Sequence, residues 1–265
     1  MPTVEFSFRE LDLLLGGGFQ PDDLRKDIPM LGVDLENIDH DKVTVEVFPN
    51  RPDMLSVEGF ARALRGLLDI ETGLKTYKVK ESPINLFVED TVDSVRPHIT
   101  CGIIKAIKLD EDRLKSLMDL QEKLHITHGR NRRKVAIGVH DLGNIKPPLT
   151  YKAVKPGEIS FKPMDMDTEL NLGEILKGHP KGREYAWILE DYDKYPIIVD
   201  AEGNVLSFPP IINGELTRVT EKTEDIFIEV TGIDEKAINQ ALNILTTSIC
   251  DRGGDIYCVK IKRRR

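Results

Sequence analysis

The sequence has 265 residues, of which 40% are hydrophobic and 31% are charged, and its formal net charge is −8. This composition supports a globular core in two domains, or in one large domain with an appendage, and the acidity argues against a general nucleic-acid-binding protein. No apolar run could span a membrane, the N-terminus lacks a signal-peptide pattern, and the three cysteines form no CxxC pair. We therefore expect a cytoplasmic protein without a disulfide framework.

Residues 1–82 predict a small N-terminal α+β domain. Ser7 and Glu10 form a capping-box pattern, and three glycines from Gly16 onward end the short helix that follows. A second short helix is expected in PDDLRKDIPMLG and a strand in KVTVEVF. Ser56 begins a helix whose apolar residues recur at helical spacing. The segment KVKESP is the predicted boundary.

Residues 83–265 predict a larger mixed α/β domain. Asp110 and Asp234 are expected N-caps, because each precedes apolar residues at helical spacing. Strands are predicted in CGIIKAIKL, KVAIGVHDL and DIFIEVTG, and YPIIVDAEGNVLSF predicts a hairpin that turns at Glu202–Asn204. Because strands and helices alternate without a regular βαβ order, the predicted fold class is α+β.

The segment FPPIING, residues 208–214, directly follows that hairpin. Its two prolines should end a strand, since proline cannot donate to a sheet. Asn213 and Gly214 tolerate positive φ, so a sharp bend is predicted there. Gly214 would also allow another molecule to approach the backbone.

The strand in DIFIEVTG has two different faces. Ile226, Ile228 and Val230 share one face, whereas Glu229 and Thr231 lie on the other with Asp225 and Phe227. This pattern fits a wall between the core and a cleft, and the alternative is that Glu229 points into water. His140 and Asp141, at the end of another strand, either orient a ligand or stabilise a turn.

Several chemistries have no signature in the sequence. There is no P-loop, dinucleotide fingerprint, GxSxG or HExxH motif. His125 and His128 have no third ligand nearby in sequence, so no metal site is predicted. The basic segments GRNRRK and KIKRRR either contact phosphates or are solvated loops. The second one follows a strand-like segment and ends the chain abruptly, which is expected of a fragment or of a basic tail.

An ordered set of segments resembles the N-terminal part of the beta subunit of archaeal and eukaryotic phenylalanyl-tRNA synthetase. The segments are MPTV, NRPDMLSVEGFARAL, LQEKLH, KVAIGVHDL, FKPM, FPPIING and TEDIFIEVTGIDEKA. The resemblance implies that residues 83–265 form an editing domain that hydrolyses mischarged tyrosyl-tRNA(Phe). It implies as partners the alpha subunit, the tRNA(Phe) 3′ end and the remainder of the beta subunit, with no membrane. Because the activating site belongs to the alpha subunit, ATP and Mg²⁺ are expected in the full enzyme and no cofactor in this chain.

The resemblance also implies site residues. Asn213 and Thr217 are the expected catalytic residues that hold a water molecule, since no Ser-His-Asp or Cys-His nucleophile is evident. Glu229 matches the bacterial carboxylate that reads the tyrosine hydroxyl, whereas His140 resembles a bacterial histidine only at a different spacing. The expected substrate-binding residues are Gln121, His125, Arg132, His140, Pro210, Gly214, Glu229, Thr231 and Asp234.

Some of these assignments have alternatives. Gln121, His125 and Arg132 are expected to line the pocket or contact the tRNA end, unless they only satisfy their own backbone. The family pattern has a hydroxyl residue where this chain has Ile233. Thr231 or Thr217 would then hold the water. The alternative functions are a non-catalytic tRNA-binding and assembly module of the synthetase, and a free-standing deacylase.

Overall fold

The structure is a computed structural model that describes residues 2–264. The strands are β1 (Thr3–Ser7), β2 (Asp34–Ile38), β3 (Lys42–Glu46), β4 (Val79–Glu89), β5 (His98–Lys105), β6 (Val135–Asp141), β7 (Leu149–Val154), β8 (Ser160–Phe161), β9 (Leu170–Asn171), β10 (Tyr195–Val199), β11 (Val205–Phe208), β12 (Ile212–Asn213), β13 (Ile226–Gly232) and β14 (Asp255–Arg264). The α-helices are α1 (Phe8–Leu15), α2 (Pro21–Leu24), α3 (Val57–Leu67), α4 (Glu111–Ile126), α5 (Leu172–Gly178), α6 (Pro180–Tyr185) and α7 (Glu235–Cys250). Short 3-10 helices lie at Ile28–Leu31, Pro52–Leu55, Asp90–Val92, Leu142–Asn144, Ala186–Ile188 and Glu215–Thr217. This mixture of elements confirms the predicted α+β class.

The helix starts predicted from capping residues are confirmed. Ser7, Ser56, Asp110 and Asp234 each accept a hydrogen bond from the main-chain N–H three residues later, at 2.8–3.4 Å. These bonds satisfy N–H groups that have no partner within the helix. Because the cap and its partner are close in sequence, the local pattern was sufficient to place the starts of α1, α3, α4 and α7.

The second predicted helix is divided in two. Helix α2 ends at Leu24, and a separate 3-10 helix covers Ile28–Leu31. Pro29 has no N–H to donate to the carbonyl of Arg25, so a continuous α-helix through this segment would lose a hydrogen bond. The predicted single helix was therefore wrong in its continuity.

The elements from β1 to α3, here called the N-terminal unit, pack on the rest of the chain. Strands β1, β3 and β2 form an antiparallel sheet, and one hydrophobic cluster runs from this unit into helices α4 and α7. The predicted boundary segment KVKESP contains the start of β4, and the exposed irregular connection precedes it, at residues 68–78. A division into domains after residue 82 stays a prediction.

Polar contacts add to this packing at the end of α7. Ser56 and Ser248 share a buried hydrogen bond of 2.9 Å between their hydroxyl oxygens. Arg252 binds Glu10, with Nη1 to Oε1 at 2.9 Å, and also forms an ion pair with the buried carboxylate of Glu58. Helix α7 therefore connects strand β13, which precedes it, to the N-terminal unit.

The large sheet has nine strands in the order β12-β11-β10-β7-β4-β14-β5-β13-β6. Neighbours are antiparallel except that β4 is parallel to both β7 and β14. Two side-chain hydrogen bonds join its opposite ends: Asn213 Nδ2 of β12 donates to Val139 O of β6 at 3.3 Å, and Ser207 Oγ of β11 donates to Glu229 Oε1 of β13 at 2.8 Å. The sheet is therefore curved enough for its two ends to face each other across a gap.

The bend in FPPIING lies at the prolines. Strand β11 ends at Phe208, as predicted, and Ile211 N donates to Phe208 O at 2.7 Å to close the turn around the cis bond Pro209–Pro210. Asn213, in β12, pairs with Ser207 of β11. The predicted bend at Asn213–Gly214 was wrong, because these residues already return along β11.

Gly214 has an ordinary extended conformation, with φ −74° and ψ 147°. Its N–H donates to Leu206 O at 2.8 Å, and an added Cβ would collide with Val205 O. The close neighbour at Gly214 is therefore strand β11 of the same chain.

Candidate active site

A cavity of about 380 Å³ lies in the gap between the two ends of the large sheet. Its wall contains six of the predicted site residues. These are Gln121, His125, Arg132, Pro210, Asn213 and Glu229. Much of the remaining wall is apolar and includes Met118, Ile137, Val139 and Ile212. A cavity of this size and lining suits an aromatic amino-acid side chain.

Strand β13 forms the floor, and its two faces differ as predicted. Ile226, Ile228 and Val230 pack in the cluster that contains α7, whereas Phe227 belongs to the cluster on the opposite face. Glu229 lies in the cavity wall with only 2% of its surface exposed, so the alternative that it points into water was wrong.

The Glu229 carboxylate is only partly satisfied. Ser207 Oγ donates to its Oε1 at 2.8 Å, and Oε2 has no hydrogen-bond partner within residues 2–264. A buried oxygen without a partner is costly, and a ligand hydroxyl or amine that donated to it would remove that cost. Within residues 2–264, two wall residues have a buried polar atom without a partner: Glu229, whose Oε2 could accept from a ligand, and Arg132, whose Nε could donate to one.

His140 and Thr217 lie beneath the cavity floor. His140 is fully buried, with Nδ1 2.8 Å from Thr217 Oγ1 and Nε2 3.9 Å from Glu229 Oε1. Thr217 Oγ1 also donates to Gly214 O at 3.5 Å, which favours a His140 tautomer with its proton on Nδ1. Thr217 thus orients His140, and neither residue is in the wall that encloses the cavity, so their predicted contacts with water and substrate stay predictions.

Asp141 stabilises the turn that follows β6. Its Oδ1 accepts from Gly143 N at 2.8 Å, and its Oδ2 accepts from Thr223 Oγ1 at 2.6 Å. Of the two interpretations of the His140–Asp141 pair, the aspartate fits the structural one, while the histidine faces the carboxylate of Glu229.

Two residues important for this arrangement were missed in the sequence. Gly138 pairs with Glu229 across β6 and β13, and a Cβ there would lie 2.7 Å from His140 Nε2 and 3.0 Å from Glu229 Cδ. Ser207 is the hydroxyl that holds Glu229. Two sequence features could have identified them: the glycine inside the apolar strand KVAIGVHDL and the single hydroxyl residue in the apolar strand VLSF. A glycine inside a strand often marks a close approach of other groups.

Gln121 and His125 bind the outer edge of β6. Gln121 Nε2 donates to Ile137 O at 2.8 Å, and Ile137 N donates to His125 Nε2 at 2.8 Å. Because Nε2 accepts, Nδ1 carries the proton and faces Glu122 Oε2 at 3.4 Å. Burial lowers the pKa of His125 to about 4, so its ring is neutral at pH 7. These two side chains line the cavity and also satisfy the backbone of another strand.

Arg132 lies in a loop in which Arg130, Asn131 and Arg132 all have positive φ. Its Nη1 donates to Ile211 O at 3.0 Å, and its guanidinium lies 4.4 Å from the ring centroid of Tyr185. Arg132 therefore connects the loop to the proline turn on the opposite side of the cavity, whereas Arg130 is exposed.

Glu122 binds two residues of the cavity wall, Arg132 and His125. Its Oε2 accepts from Arg132 Nη2 at 3.0 Å. The hydrogen bond from His125, together with the charge of Arg132, lowers the pKa of Glu122 to about 2 although partial burial acts in the opposite sense. An ionised Glu122 therefore holds both Arg132 and His125 in place.

Thr231 and Asp234 lie outside the cavity wall. Thr231 Oγ1 accepts from the buried Arg96 Nε at 2.9 Å, and Asp234 caps α7 and pairs with Lys134 at 3.1 Å. Their predicted substrate contacts stay predictions. Ile233, where the family pattern has a hydroxyl residue, is half exposed and also lies outside the wall.

Two further observations concern the whole described chain. Within residues 2–264, no three His, Cys, Asp or Glu side chains are grouped to hold a metal ion, and the expected absence of a cofactor stays a prediction. Over the same residues, no helix combines the length and the apolar character needed to cross a membrane.

Comparisons with known proteins agree with the fold. The family model of the B3/4 domain matches residues 105–250, which include α4, β6 and β13. Phenylalanine–tRNA ligase beta subunits of Methanosarcina barkeri and Archaeoglobus fulgidus are 48% and 51% identical over 263 and 261 residues. Those matches cover 99% and 98% of this chain but 48% and 47% of the relatives, so the chain spans about half the length of the curated relatives it matches.

A solved structure extends the comparison to the fold. It is a crystal structure of an N-terminal fragment of the phenylalanyl-tRNA synthetase beta-subunit from Pyrococcus horikoshii, with a TM-score of 0.94 and 39% identity. The match covers 99% of this chain and 77% of that fragment. The resemblance seen in the sequence is thereby confirmed, and the chain belongs to the phenylalanyl-tRNA synthetase beta-subunit family, as an N-terminal region with a B3/4 domain.

Proposed function

We propose that the cavity hydrolyses the ester bond of tyrosine that has been attached to tRNA(Phe) in error. The observation that carries the proposal is the partly satisfied carboxylate of Glu229 on the floor of a largely apolar cavity. Tyrosine is phenylalanine with one added hydroxyl, and an apolar pocket rejects such a substrate only by about a hundredfold. A second site that selects the hydroxyl would remove the erroneous product.

Selection in this proposal comes from the floor of the cavity. The substrate ring packs against Met118, Ile137 and Val139, and its hydroxyl donates to Glu229 Oε2. Ser207 already holds Oε1, so the carboxylate is oriented before the substrate arrives. Phenylalanine would leave Oε2 without a partner, which costs about 1–3 kcal/mol and corresponds to roughly 5- to 150-fold selectivity.

Hydrolysis proceeds by direct attack of water. The water oxygen adds to the ester carbonyl carbon, the bond from that carbon to the ribose oxygen breaks, and the ribose oxygen takes the proton that the attacking water releases. Ser207 donates to Glu229, and in this proposal it orients that carboxylate and is not the nucleophile. Asn213 lies on the wall and is the residue we assign to holding the water, with a ribose hydroxyl of the substrate assisting.

The test is deacylation of preformed tyrosyl-tRNA(Phe) and phenylalanyl-tRNA(Phe) by the two-subunit enzyme that contains this chain. We expect Glu229→Ala and Glu229→Gln to lower the preference for the tyrosyl ester by about tenfold or more, and Asn213→Ala to slow hydrolysis of both esters. Glu81→Ala, which removes an exposed carboxylate on β4, is the control and should behave as wild type. Unchanged selectivity in both Glu229 variants would refute the assigned role.

The family membership extends the proposal to partners. We propose that the chain acts with the synthetase alpha subunit, the remainder of the beta subunit and the tRNA(Phe) 3′ end. ATP and Mg²⁺ would serve the synthetic site, which lies outside this chain.

A second function, a non-catalytic tRNA-binding and assembly module, is favoured by one observation. Arg130 and Arg133 are exposed beside the cavity, although Arg132 between them is used internally. This function predicts salt-sensitive tRNA binding that weakens in an Arg130→Gln, Arg133→Gln variant, without any ester hydrolysis that depends on Glu229.

A further inference from the structure

A buried arginine joins two sides of the candidate active site. Arg96 lies in the connection between β4 and β5, and only 2% of its surface is exposed. Its Nε donates to Thr231 Oγ1 at 2.9 Å and its Nη2 to Thr231 O at 2.7 Å. The same guanidinium donates to Arg132 O and Arg133 O, each at 3.1 Å. One side chain therefore binds both the end of β13 and the loop that carries Arg132.

That loop needs an external support. Residues Arg130, Asn131 and Arg132 have φ values of 50°, 52° and 67°, and non-glycine residues adopt this region only at some cost in free energy. Such a conformation persists when its surroundings hold it. Arg96 binds the carbonyls of Arg132, the last residue with positive φ, and of Arg133, which follows it. It therefore supports the backbone at the residue whose side chain lines the cavity.

Arg96 is also a buried positive charge close to Glu229. Within residues 2–264, the hydrogen bonds of its guanidinium go to Thr231 and to the main-chain carbonyls of Arg132 and Arg133, and not to a carboxylate. Burial lowers the pKa of Arg96 to about 10, against the charge of Glu229, which raises it, so the side chain is protonated at neutral pH. Glu229 lies two residues before Thr231 on the same face of β13, the strand to which Arg96 binds.

We propose that Arg96 is a positioning residue of this site: it fixes the loop that carries Arg132 relative to the strand that carries Glu229, and so sets the shape of the cavity that receives the aminoacyl ester. The catalytic part of this inference rests on the proposed editing function. The positioning part rests on the contacts of Arg96 alone.

The test combines two measurements on the two-subunit enzyme with Arg96→Lys and Arg96→Met. Hydrogen exchange of amides 129–134 reports the loop directly, and KM and kcat for tyrosyl-tRNA(Phe) deacylation report the cavity. Lysine keeps the charge but cannot bind two loop carbonyls and Thr231 in the same geometry. We expect hydrogen exchange of the loop to be faster in both variants by about tenfold or more. We expect KM to rise in both variants, and kcat to change less in Arg96→Lys than in Arg96→Met.

Arg263→Met is the matched control. Arg263 binds the same connection from outside, with Nη1 to Asp93 Oδ1 at 2.6 Å and Nη2 to Pro97 O at 2.9 Å, and it is half exposed. Its loss disturbs the connection without touching the loop at 129–134, so loop exchange and KM should stay at wild-type values.

The outcomes separate the two proposals. Wild-type loop exchange in Arg96→Lys overturns the positioning role, and if Arg96→Met does not fold, Arg96→Lys alone decides. If loop exchange is faster but KM and kcat are unchanged, Arg96 supports the loop, and its proposed effect on the reaction is refuted. If neither wild type nor any variant hydrolyses tyrosyl-tRNA(Phe), the proposed function is refuted, and with it the catalytic part of this inference. Loop exchange still decides the positioning part.

Discussion

Gly138 lies so close to His140 and Glu229 that adding a side chain there should displace the Glu229 carboxylate. In a Gly138→Ala variant, the new Cβ would lie 2.7 Å from His140 Nε2 and 3.0 Å from Glu229 Cδ, and closer still to a Glu229 oxygen. Real Cβ atoms do not approach other heavy atoms so closely, so the Glu229 carboxylate must move. The flexible end of this side chain is confined, because it is buried and held by Ser207.

Two effects of opposite sign determine the size of the change. Overpacking a buried site costs about 1–3 kcal/mol, whereas replacing glycine by alanine stiffens the unfolded chain and contributes about 0.4–1 kcal/mol of stability. The steric effect is larger, so we expect a net loss of about 1–2 kcal/mol, or a Tm lower by about 2–8 °C. Under the proposed editing function, displacement of Glu229 should also reduce selectivity for the tyrosyl ester by about tenfold.

Thermal unfolding of the 265-residue chain and paired deacylation assays of the two-subunit enzyme measure these effects. Gly157→Ala is the control, because a Cβ at that position has no heavy atom within 4 Å. We expect it to be neutral or slightly stabilising. If Gly138→Ala had the stability and the selectivity of Gly157→Ala, the close packing of Gly138 beneath Glu229 would be refuted.

Two further predictions concern stability. The pKa of His125 falls from 6.5 to about 4 on folding, so the unfolded chain binds more protons between these values and stability decreases as the pH falls through that window. The Tm measured from pH 7 to pH 4.5 should therefore decline less steeply in His125→Gln than in wild type, and equal slopes would contradict this. Arg252→Met leaves the buried Glu58 without its cation and should cost about 3–5 kcal/mol in urea unfolding, whereas Arg25→Met, which removes an exposed pair, should cost at most about 1 kcal/mol. Equal losses in the two arginine variants would show that the connection through Arg252 does not hold the N-terminal unit.

Features that depend on neighbours in sequence were predictable. The N-caps at Ser7, Ser56, Asp110 and Asp234 were found because a cap and its partner lie three residues apart. The two faces of β13 were found for the same reason, since side chains alternate along a strand whatever it pairs with.

Features that depend on distant pairing were not predictable. The burial of Glu229 follows from the curvature of the nine-stranded sheet, which brings Ser207 of one end to β13 at the other. The bend in FPPIING was misplaced because the pairing of Asn213 with Ser207 removes the freedom that an Asn-Gly pair has in isolation. Arg96 carried no signal, because the groups it binds lie 36–135 residues away in sequence.

The hydrogen bonds on the outer edge of β6 have a consequence for solubility. An unpaired edge strand offers N–H and C=O groups to which a strand of another molecule can add. Here Gln121, His125 and Asn213 occupy the N–H and C=O of Ile137 and the C=O of Val139. The residues that line the cavity therefore also protect this edge from intermolecular strand pairing. Changing several of them together to apolar residues would alter the cavity wall and would also expose an edge on which fibrils or sheet-extended dimers could form.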